Sequence, residues 1–155
     1  VNVSNGEVLV SDGYINKRVI GFEAKSNKFK GFWGPYGAQP GGPERVGDFD
    51  PSHGATSDKA ADPDAKEFGG IVHCVVPTND GHLYVCDRQN NRAQLFKREK
   101  GGKLTFVNTL AIAPATRGTG TVTDIAFSPD QKYLYVADMM NGRIWILLRE
   151  THEVL

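Results

Sequence analysis

Three stretches of this chain follow one design, in which an apolar strand ends in aspartate and a turn then carries asparagine, one spacer residue and arginine. Residues 8–22 read VLVSDGYINKRVIGF, residues 83–96 LYVCDRQNNRAQLF and residues 134–147 LYVADMMNGRIWIL. The anchors are Asp12, Asn16 and Arg18, then Asp87, Asn90 and Arg92, then Asp138, Asn141 and Arg143. Repetition at intervals of tens of residues marks an array whose units cannot bury an apolar face alone and stack to do so.

The second unit is the most complete. Residues 71–76, 83–86, 92–97 and 104–110 read as strands, with a turn at Asn79-Asp80-Gly81 between the first two and the KGGK turn at 100–103 before the last. Four short antiparallel strands per unit make a β-propeller blade, so the chain is expected to be all-β and to supply several blades in succession. The expected first blade covers 1–33 and begins in mid-repeat. A long inter-blade loop covers 34–67, where Gly, Pro, Asp and Ser replace any periodicity. The second blade covers 68–113, and the third, its first strand expected over 122–127, covers 114–155 without a closing strand. The reading is of a partial chain from a longer protein, the remaining blades coming from that protein or from another chain.

Charge excludes some functions. With 18 basic and 18 acidic residues the formal charge is zero, so there is no basic footprint for nucleic acid and no polybasic face for lipid. No apolar run reaches the roughly 20 residues of a membrane helix.

Residues shared by every unit are expected to be scaffolding. Asp and Asn side chains hold sharp turns by bonding nearby amides, and Arg bridges to a carboxylate with a forked pair of bonds. Positions that differ between units are the functional candidates. After the aspartate come Gly13-Tyr14, Arg88 and Met139-Met140 in turn, and at the entry to the first strand His73 in one unit faces Thr123-Asp124 in another. In a propeller such loops gather at one end of the central channel. There Tyr14, Arg88 and Met139 suit an oxygen-rich small molecule or a peptide, and His73 suits either a structural hydrogen bond or a metal. His53, His82 and His152, in a polar loop, a turn and the tail, are expected to face solvent. Cys74 and Cys86 lie six residues either side of Asp80, hence opposite one another across a hairpin. Opposed Cβ atoms sit at about 4.5 to 5.5 Å, which leaves open both a disulfide and two buried thiols. A disulfide would place the chain in an oxidising compartment.

The units resemble NHL repeats, and residues 73–96, HCVVPTNDGHLYVCDRQNNRAQLF, carry the likeness most fully. That resemblance implies about half of a six-bladed propeller, secreted or periplasmic, acting as a binding scaffold. VSDGYINKRVIGF together with VCDRQNNR is also similar to the lyase group that cleaves peptidyl-α-hydroxyglycines in peptide amidation. This second resemblance implies zinc-assisted C–N cleavage, with Tyr14 and Arg88 as catalytic residues, His73 as a zinc ligand and Asp124 as an acid that helps hold calcium.

Overall fold

Turn residues with a left-handed backbone set the strand boundaries. Asn5 and Gly6 take φ of 51° and 76°, the geometry of a two-residue hairpin turn, and so reverse the chain between β1 (Asn2–Ser4) and β2 (Glu7–Asp12). Beyond the next loop come β3 (Arg18–Glu23) and β4 (Phe29–Trp33), completing an antiparallel sheet in the order β1-β2-β3-β4. The computed structural model describes residues 1–14, 16–37, 61–100 and 102–155. A second sheet holds β5 (Val72–Pro77), β6 (His82–Asp87), β7 (Arg92–Arg98) and β8 (Leu104–Ala111) in chain order. A third holds β9 (Asp124–Phe127), β10 (Tyr133–Asp138) and β11 (Arg143–Leu148). Among the described residues there is no α-helix, so the chain is all-β as the repeats imply.

Strand alternation explains how the sheets stack. Successive side chains point to opposite faces, and β6 has an apolar residue at nearly every position because it is covered on both sides. Leu83 and Val85 join Leu9, Val19, Trp33, Phe68, Phe96 and Leu104 in a core between the first and second sheets. Tyr84 and Cys86 join Leu110, Val122, Ile125, Leu134, Val136 and Leu147 in a core between the second and third. An ion pair of Glu7 on β2 with Arg98 on β7 reinforces the first joint, and Glu7 also pairs with Lys30 on β4 of its own sheet.

Two expectations are amended. The first strand of the third unit was expected over 122–127, but β9 starts at Asp124, because the turn at Gly120 claims the preceding residues: Thr123 Oγ1 donates to the Gly120 carbonyl at 3.0 Å. Of the expected 34–67 loop, residues 38–60 lie outside the described residues, as do His53 and Gly101 of the KGGK turn. The described flanks of that loop are packed against the second sheet. Arg92, fully buried, pairs with Asp87 at 2.8 Å. Its Nη1 donates to the Tyr36 hydroxyl and to the Pro63 and Ala65 carbonyls, and its Nη2 to that of Glu67, at 2.8–3.0 Å.

Candidate functional site at the aspartate end of the blades

The expected Asp–Asn–Arg pairing holds in the first and second sheets and is altered in the third. Asp12 accepts from Asn16 at 2.9 Å and from Arg18 at 2.8 Å, and Asp87 accepts from Asn90 and Arg92, each at 2.8 Å. In the third sheet Asp138 accepts from Asn141 and, in place of an arginine, from Trp145 Nε1 at 2.9 Å. Arg143 instead lies over the Trp145 ring, 5.4 Å from its centre, a cation–π contact. The spacer between Asn and Arg is left-handed every time: φ is 53° at Lys17, 51° at Asn91 and 61° at Gly142.

The variable residues emerge from these turns at one end of the array. Gly13 rests on the Val72 backbone so closely that a Cβ would collide with it, and Tyr14 is carried alongside His73, ring centres 6.4 Å apart. His73 owes its position to a bulge. The ladder pairs Val72 with Asp87 and then Cys74 with Cys86, leaving His73 as the extra residue, and bulges re-aim a side chain in this way. Ser11 Oγ holds the His73 carbonyl at 3.1 Å. Arg88 follows Asp87, and its amide donates to the Ile71 carbonyl at 3.1 Å, so it borders the same strand entry.

Arg88 is only 7% exposed, yet its Nε has no hydrogen-bond partner and no carboxylate pairs with the guanidinium among the described residues. Buried arginines ordinarily have such partners. Beside it lies Gly120, whose φ of 129° excludes most side chains, and a Cβ built there would lie 3.3 Å from Arg88 Nε and 3.2 Å from Met139 Cε. The amides of Met139 and Met140 both donate to the Gly120 carbonyl. The Gly120 turn is itself held by Asn91, which is fully buried. Asn91 Oδ1 accepts from the Gly120 and Thr121 amides at 2.8 and 3.1 Å, and Nδ2 donates to the Gly118 carbonyl at 3.1 Å.

Sequence reasoning missed Asn91 and Gly120. The available signal was the spacer itself, which changes from Lys to Asn to Gly while the backbone stays left-handed. Tyr14 is thus brought to His73, and Arg88 to Met139. Asp124 is exposed on β9, beside the disulfide formed by Cys74 and Cys86, whose Cα atoms are 4.8 Å apart. The opposed pairing of those cysteines holds, and of the two possible states the bridged one is found. Among the described residues Cys74, Cys86 and Asp124 form the one cluster of three potential metal ligands. Bridged sulfurs offer no thiolate to a metal, and His73 belongs to no such cluster.

The opposite end of the blades carries a cavity of roughly 350 Å³ lined by Asp80, His82, Tyr84, Leu95, Arg149, Glu150 and His152. Most of its polar groups are satisfied by one another. Asp80 bonds His82 at 3.0 Å and Arg149 at 2.8 Å, and the Tyr84 hydroxyl meets His152 Nε2 at 2.8 Å. His82 and His152 are therefore half-buried joint residues and not the solvated ones expected. Burial pushes the Tyr84 hydroxyl up to about 12 and lowers His152.

Antiparallel blades of four, four and three strands stacked in chain order, with their variable turn residues gathered at one end, define a segment of a β-propeller. The chain belongs to the lactonase family of seven-bladed β-propellers, whose model matches residues 46–154. It is 35% identical over 71 residues to a 6-phosphogluconolactonase of Serratia proteamaculans, a match covering 44% of this chain and 22% of that protein. Among solved structures it resembles a Lactobacillus plantarum protein (TM-score 0.63, 15% identity), covering 100% of this chain and 39% of that one. A Bacteroides fragilis protein assigned provisionally as a 6-phosphogluconolactonase gives a TM-score of 0.55 at 18% identity, again over 100% and 39%. These low identities speak for the fold alone.

Family membership corrects the expected kinship. The chain is neither an NHL-repeat scaffold nor a relative of the amidating lyase, and the metal-binding character and six-blade count that came with those resemblances give way to a seven-bladed lactonase propeller. The reason is physical. A strand-end Asp that accepts from the turn and from the returning strand closes the turn of any such blade, so the pattern reports the blade and not the lineage.

Proposed function

We propose that the chain is part of a hydrolase that opens a sugar lactone, with its reacting end formed by the turns that carry Tyr14, His73, Arg88 and Met139. The observation that carries this reading is Arg88, a buried cation with an unpartnered Nε–H. A donor held ready without an acceptor suits an oxygen that gains negative charge during reaction, and preorganised donors of this kind are effective because nothing has to reorganise. Water attack on a lactone carbonyl creates such an oxyanion, and the ring C–O bond then breaks to leave a hydroxy acid. His73 is the group suited to take the proton from the attacking water, and Tyr14 bounds it on the outer side. The name of the Serratia relative points to a phosphorylated sugar lactone as substrate.

The chain spans 22% of that relative, so the activity belongs to a longer protein containing further blades. The Cys74–Cys86 bridge supports an oxidising compartment, secreted or periplasmic. Hydrolysis of 6-phosphogluconolactone by the full-length protein tests the proposal. Arg88→Met should lower kcat/KM by about 100- to 1000-fold. Turnover indistinguishable from buffer, or a variant as fast as the parent, would remove the basis for the assignment.

A further inference from the structure

The chain contains two methionines and two cysteines. Both cysteines are tied in the disulfide, so the sulfur open to a mild two-electron oxidant is thioether sulfur. Both methionines stand side by side at the Arg88 end, with Met139 51% and Met140 38% exposed. This places the oxidisable sulfur of the chain next to Arg88 Nε, a buried donor without a partner. One point beside Gly120 lies 3.2 Å from Met139 Cε and 3.3 Å from Arg88 Nε, so the two groups are at most one small side chain apart.

We propose that Met139 is an oxidation site whose sulfoxide closes the Arg88 donor. Hydrogen peroxide supplies the oxidant: its O–O bond breaks, one oxygen bonds to sulfur, which gives up two electrons, and the other oxygen leaves as water. The change turns an apolar thioether into a strong hydrogen-bond acceptor. Its nearest unsatisfied partner is the Arg88 Nε–H, and a guanidinium bonded to sulfoxide oxygen is no longer available to an incoming ligand. Methionine sulfoxide reductase reverses the step by returning two electrons from a dithiol. Met140 Cγ lies 3.3 Å from that same point, so the choice of Met139 over Met140 rests on its greater exposure.

The inference rests on the lactonase reading only in taking Arg88 as ligand-facing, and its test separates the two. The full-length protein, labelled with ¹⁵N, is treated with hydrogen peroxide and the oxidised methionine is located by peptide mass spectrometry. The Arg88 Nε–H resonance is identified by its absence in Arg88→Lys. With Met139 oxidised, that resonance should shift and exchange more slowly with water, recover after reductase treatment, and stay unmoved by peroxide in Met139→Leu. Binding of 6-phosphogluconate, followed by calorimetry, should weaken roughly tenfold on oxidation, the worth of one hydrogen bond to a charged group. Full oxidation of Met139 with an unchanged Arg88 resonance would overturn the inference, as would an equal response in Met139→Leu. An altered resonance in a protein that binds no phosphogluconate and hydrolyses no lactone would sustain this inference and sink the lactonase assignment.

Discussion

At the scale of single residues, Asn91 is the neutral side chain that ties the turn of the second sheet to the start of the third. It takes a left-handed backbone, and its side chain satisfies two amides and one carbonyl of the turn that opens the third sheet. Removing it leaves those groups buried without partners, at about 1–3 kcal/mol each. Asn91→Ala should therefore cost about 3 kcal/mol or more in chemical denaturation, and an unchanged midpoint would contradict the role. Asn91→Asp keeps the acceptor for the two amides and should recover part of that loss. Residues of this kind were hard to foresee. Asp87, Asn90 and Arg92 were legible because they recur, and Tyr14, Arg88 and Met139 because they break the recurrence. Asn91 sits at a spacer that varies, but its importance lies in a contact some 30 residues along the chain that the variation alone does not reveal.

The elements themselves were nearly all visible in the sequence, because their alternation and turn chemistry are local properties. Gly at the hairpin turns, β-branched and aromatic residues between them, and the apolar β6 covered on both faces all point the same way. What stayed hidden is how one sheet joins the next. The second and third sheets meet at their far end through Asp80, Arg149, Tyr84 and His152, a joint built from a hairpin turn and a chain segment 69 residues apart. Its response to acid follows from the groups involved. His152 lies below its ordinary 6.5 through burial and the nearby Arg149 charge, so the unfolded chain takes up a proton more readily than the folded one. The stability it contributes is complete above 6.5 and is lost as pH falls below that value. Partial burial pushes Asp80 upward, but bonds from Thr78, His82 and Arg149 outweigh it and hold the carboxyl well below 3.8; its contribution is likewise present above 3.8 and lost in stronger acid. The denaturation midpoint should fall between neutral and mildly acidic pH, and His152→Gln should flatten that fall. A parent and variant with parallel pH profiles would show that the joint does not titrate in this range.

At the scale of the molecule, only the middle sheet has a neighbour on each face among the described residues. The third leaves Ile144, Ile146, Val154 and Leu155 substantially exposed, and the first does the same with Val1 and Val3. Apolar surface at both ends of a stack invites further association. The 155-residue chain prepared alone should sediment as a concentration-dependent mixture heavier than 16.9 kDa, and a strictly monomeric boundary across concentrations would contradict it.

Arg92 has a second consequence at this scale. By holding the Tyr36 hydroxyl and the Ala65 carbonyl, which also bond each other at 3.1 Å, it ties two points 29 residues apart in the chain into a single clasp. Sequence inserted between those two points is entropically insulated from the stack, because each doubling of a closed loop costs only about 0.6 kcal/mol. The clasp thus marks a place where genetic novelty can accumulate, a whole extra module included, while the architecture beneath stays indifferent to its length.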